Sequence, residues 1–299
     1  MNKFLILGAS GTIGSAIRKI LTENEFLGTY SHHHDSSLVK FDLTSDNIED
    51  FPLHEFKYAI LLSGIINPDK CYSNQEYSHF VNVEKIKHIV EILHSYNIRI
   101  AFPSTEAVFD GLDKNYSETS ETNPLLVYSQ QKLEVEMFLC HYCPDSSIIF
   151  RIAKVYGSTP GDGTLIDSWF KQLHDVDETK CANDYISSVI HVNDVAKAII
   201  DAMRLNLSGI YHLGGPEALS RYEMCKRLFE KANHKLDTKI LGQPVPCRMS
   251  SFKTLEPRPV NISMNSKKIE KHLGISFRNY NSAVEEFIKR IKVFQKNIS

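Results

Sequence analysis

Tyr128 and Lys132 stand four residues apart in the stretch VYSQQKLEVEMFL (127–139), whose apolar spacing is that of an amphipathic helix. Residues four apart share one helical face, with β-carbons within about 6 Å. An ammonium held beside a phenol that ordinarily ionises near ~10 would lower its pKa and ready it for proton transfer. On an open helix surface the same pair would be two solvated side chains. The neighbouring elements decide between these readings.

Two other stretches carry groups that could act with the pair. GASGTIG (8–14) places Gly8, Gly11 and Gly14 directly after an apolar run and before a helical pattern. Glycines there let the backbone turn sharply and approach a pyrophosphate, while the helix N-terminus offers unpaired N–H groups and a partial positive charge. The expected dinucleotide site comprises Gly8, Ser10, Gly11, Thr12, Ile13 and Gly14, with Ser63 and Gly64 after a later strand. PSTEAVFDG (103–111) delivers Ser104 and Thr105 to the end of another strand. A hydroxyl, a phenol and a lysine would then converge beside a nicotinamide. In that arrangement Thr105 polarises a carbonyl oxygen, Tyr128 passes a proton to or from it, and Lys132 binds the ribose and lowers the phenol pKa.

The end of the second strand selects the dinucleotide. An acid there would take the ribose hydroxyls of NAD and repel a 2′-phosphate. GTYSHHH (28–34) offers Tyr30, Ser31 and His32, with no acid before Asp35. A hydroxyl and imidazoles accommodate a phosphate, so the reading favours NADP, with NAD as the alternative. Asp42, closing the third strand, is expected with Leu43 at the adenine edge. No metal site is read. Adjacent histidines in a loop point apart, and CHYC (140–143) has half the spacing of a zinc site with no second pair.

The elements that must position these groups alternate. KFLILG (3–8), EFLGTY (25–30), LVKFDL (38–43), YAILLSG (58–64), IRIAFPST (98–105) and SSIIFRIAKVYG (146–157) read as strands. Helical patterns fall between them, including one long helix from about 74 to 96. This predicts an α/β fold, a doubly wound parallel sheet of Rossmann type, with ligands at the carboxyl edge of the strands. Residues 1–157 form the expected cofactor-binding domain, with segments around 186–206 returning to it. Residues 158–299 form a smaller, interleaved C-terminal substrate-binding region. In HVNDVAKAIIDAM (191–203), Asn193 or Asp194 is the expected helix cap. GIYHLGG (209–215) is strand-like, and a proline-rich stretch covers 244–261.

Composition narrows the partners. With 34 basic and 36 acidic residues the formal charge is −2, which gives no bulk attraction to nucleic acid or to an anionic membrane. Any phosphate must be held locally. No apolar run reaches the ~18 residues of a membrane span, and the first apolar run turns to glycine too early for a signal peptide. Six scattered cysteines suit reduced thiols, so the expected location is cytoplasmic.

Over nearly its whole length the chain resembles the extended short-chain dehydrogenase/reductases, and among them the dTDP-4-dehydrorhamnose reductases. The resemblance is carried by GASGTIG, PSTEAVFDG, YSQQK, RIAKVYG, IHVNDVAKAI, GIYHLGGPEALSRYEM and EPRPVNISMNSKKIEKHLGI. It implies NAD(P)H-dependent reduction of the 4-keto group of a nucleotide-linked 6-deoxyhexose, with Thr105, Tyr128 and Lys132 at the catalytic positions. It also places the RP stretch near the nucleotide end of the substrate. Arg258, between two prolines, is therefore expected to grip the diphosphate, with Ser104 and Glu106 on the substrate side. Glu106-Ala107 replaces the family's Asp-Tyr, and SGIINPDK (63–70) and Ser129 also depart from its pattern. The partner is a small-molecule nucleotide sugar, and a homodimer is left open. A sugar-nucleotide epimerase and a regulatory subunit like the methionine adenosyltransferase β-subunit are the alternative readings.

Overall fold

The strands of the first half are apolar on both faces because both faces are covered. The computed structural model describes residues 3–236 and 240–296. Its first six strands are β1 (Lys3–Leu7), β2 (Phe26–Tyr30), β3 (Val39–Lys40), β4 (Phe56–Leu61), β5 (Arg99–Thr105) and β6 (Ser147–Ile152). Next come the short β7 (Val155–Tyr156), β8 (Glu178–Ala182), β9 (Ile186–Ser187) and β10 (Ile190–His191), and then β11 (Gly209–Leu213). β1 to β6 and β11 form one parallel sheet in the order β11-β6-β5-β4-β1-β2-β3. The order reverses beside β1, where an open α/β sheet leaves its ligand crevice.

The helices in chain order are α1 (Thr12–Arg18), α2 (Pro68–Ser73), α3 (Gln75–His79), α4 (Lys85–Ser95), α5 (Val127–Tyr142), α6 (Leu165–Asp175), α7 (Val192–Arg204), α8 (Arg221–Lys235), α9 (Lys267–Leu273) and α10 (Tyr280–Lys296). Alternation along β1 divides the core. Phe4 and Ile6 pack with Ile17 of α1 and Ile199 of α7 on one face. Leu5 and Leu7 pack with Val90 of α4 and Leu139 of α5 on the other. A third cluster, with Trp169, Leu228 and Phe287, joins α6, α8 and α10 in the C-terminal half. Three two-stranded ladders connect that half. β10 pairs with β7, β9 with β12 (Leu219–Ser220), and β8 with β13 (Gln243–Cys247). Among the described residues no helix is long and apolar enough to cross a membrane.

The doubly wound sheet is as expected, while several elements differ from their sequence patterns. The third strand holds only two residues, and Asp42 lies beyond it, accepting from Thr44 N (2.8 Å) and Thr44 Oγ1 (2.7 Å). Short polar side chains that bond their own backbone in this way end a strand. The sixth strand stops at Ile152 and resumes as β7, since Lys154 turns its N–H to a side chain. The helix expected over 74–96 contains a π-helical segment, Phe80–Glu84, between α3 and α4. α2 is started by Asn67 and Pro68, within the stretch that departs from the family pattern. The cap of α7 is neither Asn193 nor Asp194. His191 takes that place, its Nδ1 accepting from Asn193 N at 3.2 Å, while Asp194 pairs with Arg278 at 3.0 Å. Cys140 of α5 is exposed.

Candidate functional site

The turn between β1 and α1 is built on contacts only glycine permits. Gly8 adopts φ +88°, and a β-carbon there would sit 3.0 Å from Ser63 N and Oγ. A β-carbon on Gly14 would lie 2.6 Å from Ala9 Cα and 2.7 Å from Gly8 O, so α1 could not start so close to the strand. Gly11 and Thr12 are exposed, and Ser10 and Ile13 half-buried, at the mouth of this turn. Ser63 and exposed Gly64 follow β4 beside it. The bare backbone at Gly8, backed by Ser63, fits a pyrophosphate laid over the turn.

At the neighbouring strand end, Tyr30 is half-buried and contacts His34 edge to face at 5.3 Å. Ser31 Oγ and His32 Nδ1 are 3.0 Å apart, with His32 exposed. Asp35, the first acid after the strand, is held by Arg18 at 2.7 Å. Hydrogen bonds from Ser37 and Arg18 hold its carboxyl down at about 2. It is thus engaged with α1. Asp42 is half-buried and Leu43 buried; the Thr44 hydrogen bonds keep the Asp42 carboxyl below its ordinary range. The residues expected at the adenosine end therefore do lie along one edge of the sheet.

α5 packs across the end of β5. Lys132 Nζ donates to Pro103 O at 2.8 Å and lies 4.5 Å from the centre of the Phe102 ring. Thr105 follows two residues on, its Oγ1 accepting from Ala107 N at 3.1 Å as cap of a short turn (Glu106–Val108). Tyr128 is half-buried on the face of α5 that carries Lys132. Here one expectation is corrected. Burial pushes the Tyr128 phenol above its ordinary value, against the lowering expected from Lys132, whose Nζ donates to Pro103 O. Burial also lowers the Lys132 ammonium to about 8, against the pull of Glu136.

Ser104 and Glu106 are not open to a substrate. Ser104 is buried and its hydroxyl donates to Glu136, which binds Arg151 through two nitrogens, at 3.0 and 2.8 Å. Strand alternation puts Ser104 on the face away from Thr105. Glu106 is buried too. Its oxygens accept from Lys154 N (3.0 Å) and Ser187 Oγ (2.6 Å), and burial lifts its carboxyl to about 7. It clamps β5 to the C-terminal half. Arg258 is largely buried and pairs with Asp69 of α2 at 2.6 Å, leaving Nη1 buried without a partner among the described residues.

The structure also brings in residues that sequence reasoning missed. Asn82, inside the π-helical segment, bonds Ile65 N and O at 2.8 and 3.0 Å and Gln131 Oε1 at 2.9 Å. Gln131 in turn donates to Ser78 Oγ at 2.8 Å. Glu256 Oε1 accepts from Val127 N at 2.9 Å, at the start of the Tyr128 helix. Gln131 lies between Tyr128 and Lys132 in sequence, which was the one available signal. Its partners lie 49 and 53 residues away. Among the described residues no three His, Cys, Asp or Glu side chains gather as a metal site requires. An open groove lined by Lys3, Phe26, Phe56 and Lys57 lies at the amino ends of β1, β2 and β4, on the opposite edge from this chemistry.

Comparison with known proteins follows the same outline. The model of the family described as RmlD substrate binding domain matches residues 1–293. A dTDP-4-dehydrorhamnose reductase of Aggregatibacter actinomycetemcomitans is 25% identical over 301 residues, covering 95% of this chain and 98% of the relative. Methionine adenosyltransferase 2 subunit beta of Xenopus tropicalis is 28% identical over 293 residues, covering 92% and 83%. The crystal structure of a hypothetical dTDP-4-dehydrorhamnose reductase from Sulfolobus tokodaii superimposes with a TM-score of 0.79 at 26% identity, covering 93% of this chain and 98% of that one. With its glycine turn, its Thr105–Tyr128–Lys132 set and a match over residues 1–293, the chain belongs to the RmlD substrate binding domain family.

Proposed function

We propose that the protein is an NAD(P)H-dependent reductase of a nucleotide-linked ketosugar, of the 4-keto-6-deoxyhexose class. The observation that carries this is the half-buried Tyr128 on a helix whose Lys132 is tied to the end of β5, two residues from Thr105. With the cofactor's pyrophosphate held over the Gly8 turn, a reduced nicotinamide would supply hydride. Tyr128 donates its proton to the carbonyl oxygen as charge develops there, and the Thr105 hydroxyl polarises the same oxygen. Lys132 holds the ribose and, charged, stabilises the phenolate left behind. Ser31 and His32 favour the 2′-phosphate of NADP, since Asp35 is held by Arg18. Arg258 takes the substrate diphosphate. Residues 1–157 with 186–206 form the cofactor half and the rest of 158–299 the substrate half. The proposal includes a cytoplasmic location, which six free cysteines suit.

A panel of nucleotide-linked 4-ketosugars mixed with protein and NADPH tests the reading. Loss of NADPH absorbance with one member supports it. NADPH binding without oxidation by any member favours instead a non-catalytic subunit, the reading suggested by likeness to the methionine adenosyltransferase subunit. Sugar isomerisation with no net NADPH loss favours an epimerase.

A further inference from the structure

α5, the helix of Tyr128 and Lys132, does not cap its own start. The first N–H groups of a helix have no partner within it, and a serine or aspartate just before them usually accepts from one. Leu126 stands there instead, buried and with no side-chain oxygen. The acceptor comes from far along the chain, where Glu256 Oε1 takes the Val127 N–H at 2.9 Å. Glu256 is 6% exposed, and its second oxygen is buried with no partner among the described residues. The positive end of the helix favours a carboxylate there. Burying that carboxylate on a single hydrogen bond is still a costly cap where a local one would serve.

The segment that delivers Glu256 is itself held tightly. Leu255 N and Arg258 Nη2 both donate to Asp69 Oδ1 of α2, at 3.3 and 2.6 Å. Thr254 Oγ1 donates to Glu256 O at 2.9 Å. Pro257 and Pro259, on either side of Arg258, fix φ at two more positions. Residues 254–258 therefore form a stiff strap from α2 to the start of α5. Further along α5, Lys132 Nζ is tied to Pro103 O. Tyr128 lies between these two anchors, directly after the first. Two anchors, rather than one, fix the tilt of this first turn.

The geometry points to Glu256 as a positioning residue for Tyr128. It acts through the backbone of Val127, setting the first turn of α5 so that the phenol faces the carbonyl oxygen that Thr105 polarises. One strap thereby places both the arginine proposed for the diphosphate and the proton donor, which keeps the two ends of the substrate in register. This rests on the reductase reading and adds a residue to it.

The test breaks the same hydrogen bond from each side. Glu256→Ala removes the acceptor. Val127→Pro removes the donor, and proline is well tolerated as the first residue of a helix, here after the extended backbone of Leu126 (φ −109°, ψ 142°). Glu256→Gln keeps an acceptor oxygen and loses only the charge. In the ketosugar assay with NADPH, Glu256→Ala and Val127→Pro should each lower kcat by about 10–100-fold, the cost of a misplaced reacting group. The double variant should be no slower than the slower single one. Glu256→Gln should recover most of the rate, with NADPH affinity and substrate KM changing far less than kcat. A kcat close to wild type in Glu256→Ala or Val127→Pro overturns the role, as do losses that multiply in the double variant or a glutamine variant as slow as alanine. Should Glu256→Ala not fold, Val127→Pro against Glu256→Gln decides it. Those failures leave the reductase reading standing. If wild type oxidises NADPH with no ketosugar, the reductase reading fails and the positioning role falls with it.

Discussion

The proposed cofactor half and the proposed substrate half of this molecule are built in different ways. Around Gly8, Thr105 and Lys132, the site consists of strand ends, a turn and one helix, each within a few residues of its own motif. Around Arg258, Glu256 and Glu106, every functional group depends on a partner far along the chain. Arg258 meets Asp69, Glu256 meets Val127, and Glu106 meets Ser187. Local geometry can be moved among relatives as a unit. A surface stitched from distant segments can change one contact at a time, so it is where relatives that share the fold would differ in substrate.

Variants can break this contrast or sharpen it. The largest effect is expected in the cofactor half. Tyr128→Phe should lose a factor of about 10²–10⁴ in turnover, with NADPH affinity intact by titration. Retention of half the wild-type rate would remove Tyr128 from the chemistry.

The buried Glu136–Arg151 pair sits beneath that half, 2% and 4% exposed at the side chains. Removing one partner of such a pair strands the other charge. Glu136→Ala should therefore lower unfolding stability by about 3–5 kcal/mol, read by denaturant titration. A loss within the range of exposed ion pairs would show that water reaches Arg151.

Glu106, the clamp between the halves, gives a pH signature. Its folded pKa, about 7, lies above the ordinary carboxyl value of 4.5. The folded state therefore binds the proton more tightly, and this stabilisation is complete below pH 4.5 and lost as pH rises through 7. It amounts to roughly 3 kcal/mol. Glu106→Gln should flatten the decline in stability between about pH 5 and 8, the window set by this shift. His191 and His212 act with the opposite sign. Burial lowers them to about 4 and about 3, so their contribution is present above 6.5 and fades on acidification. A decline unchanged in Glu106→Gln would assign it to other groups.

Smaller effects separate the two ligands. Arg258→Ala should raise substrate KM about tenfold, or about 1.4 kcal/mol, without moving NADPH affinity. If KM stays put, the diphosphate is held elsewhere. The smallest expected change is Ser31→Asp, which should shift preference from NADPH towards NADH by repelling the 2′-phosphate. Equal cofactor ratios in both proteins would show that the loop after β2 does not read the phosphate.

What the sequence determined by itself is the alternating sheet and the residues brought to its edge as the proposed catalytic set. Apolar runs buried on both faces, glycines required at Gly8 and Gly14, and a Tyr–Lys pair on one helical face are all short-range requirements, and periodicity and spacing record those directly. The tertiary structure alone decided the orientation and charge of the rest. It turned Ser104 towards Glu136, buried Glu106 under a clamp, drew Lys132 onto Pro103, and brought Asn82 against Gln131. Desolvation and pairing depend on which distant surfaces meet, and a one-dimensional pattern carries no record of that meeting.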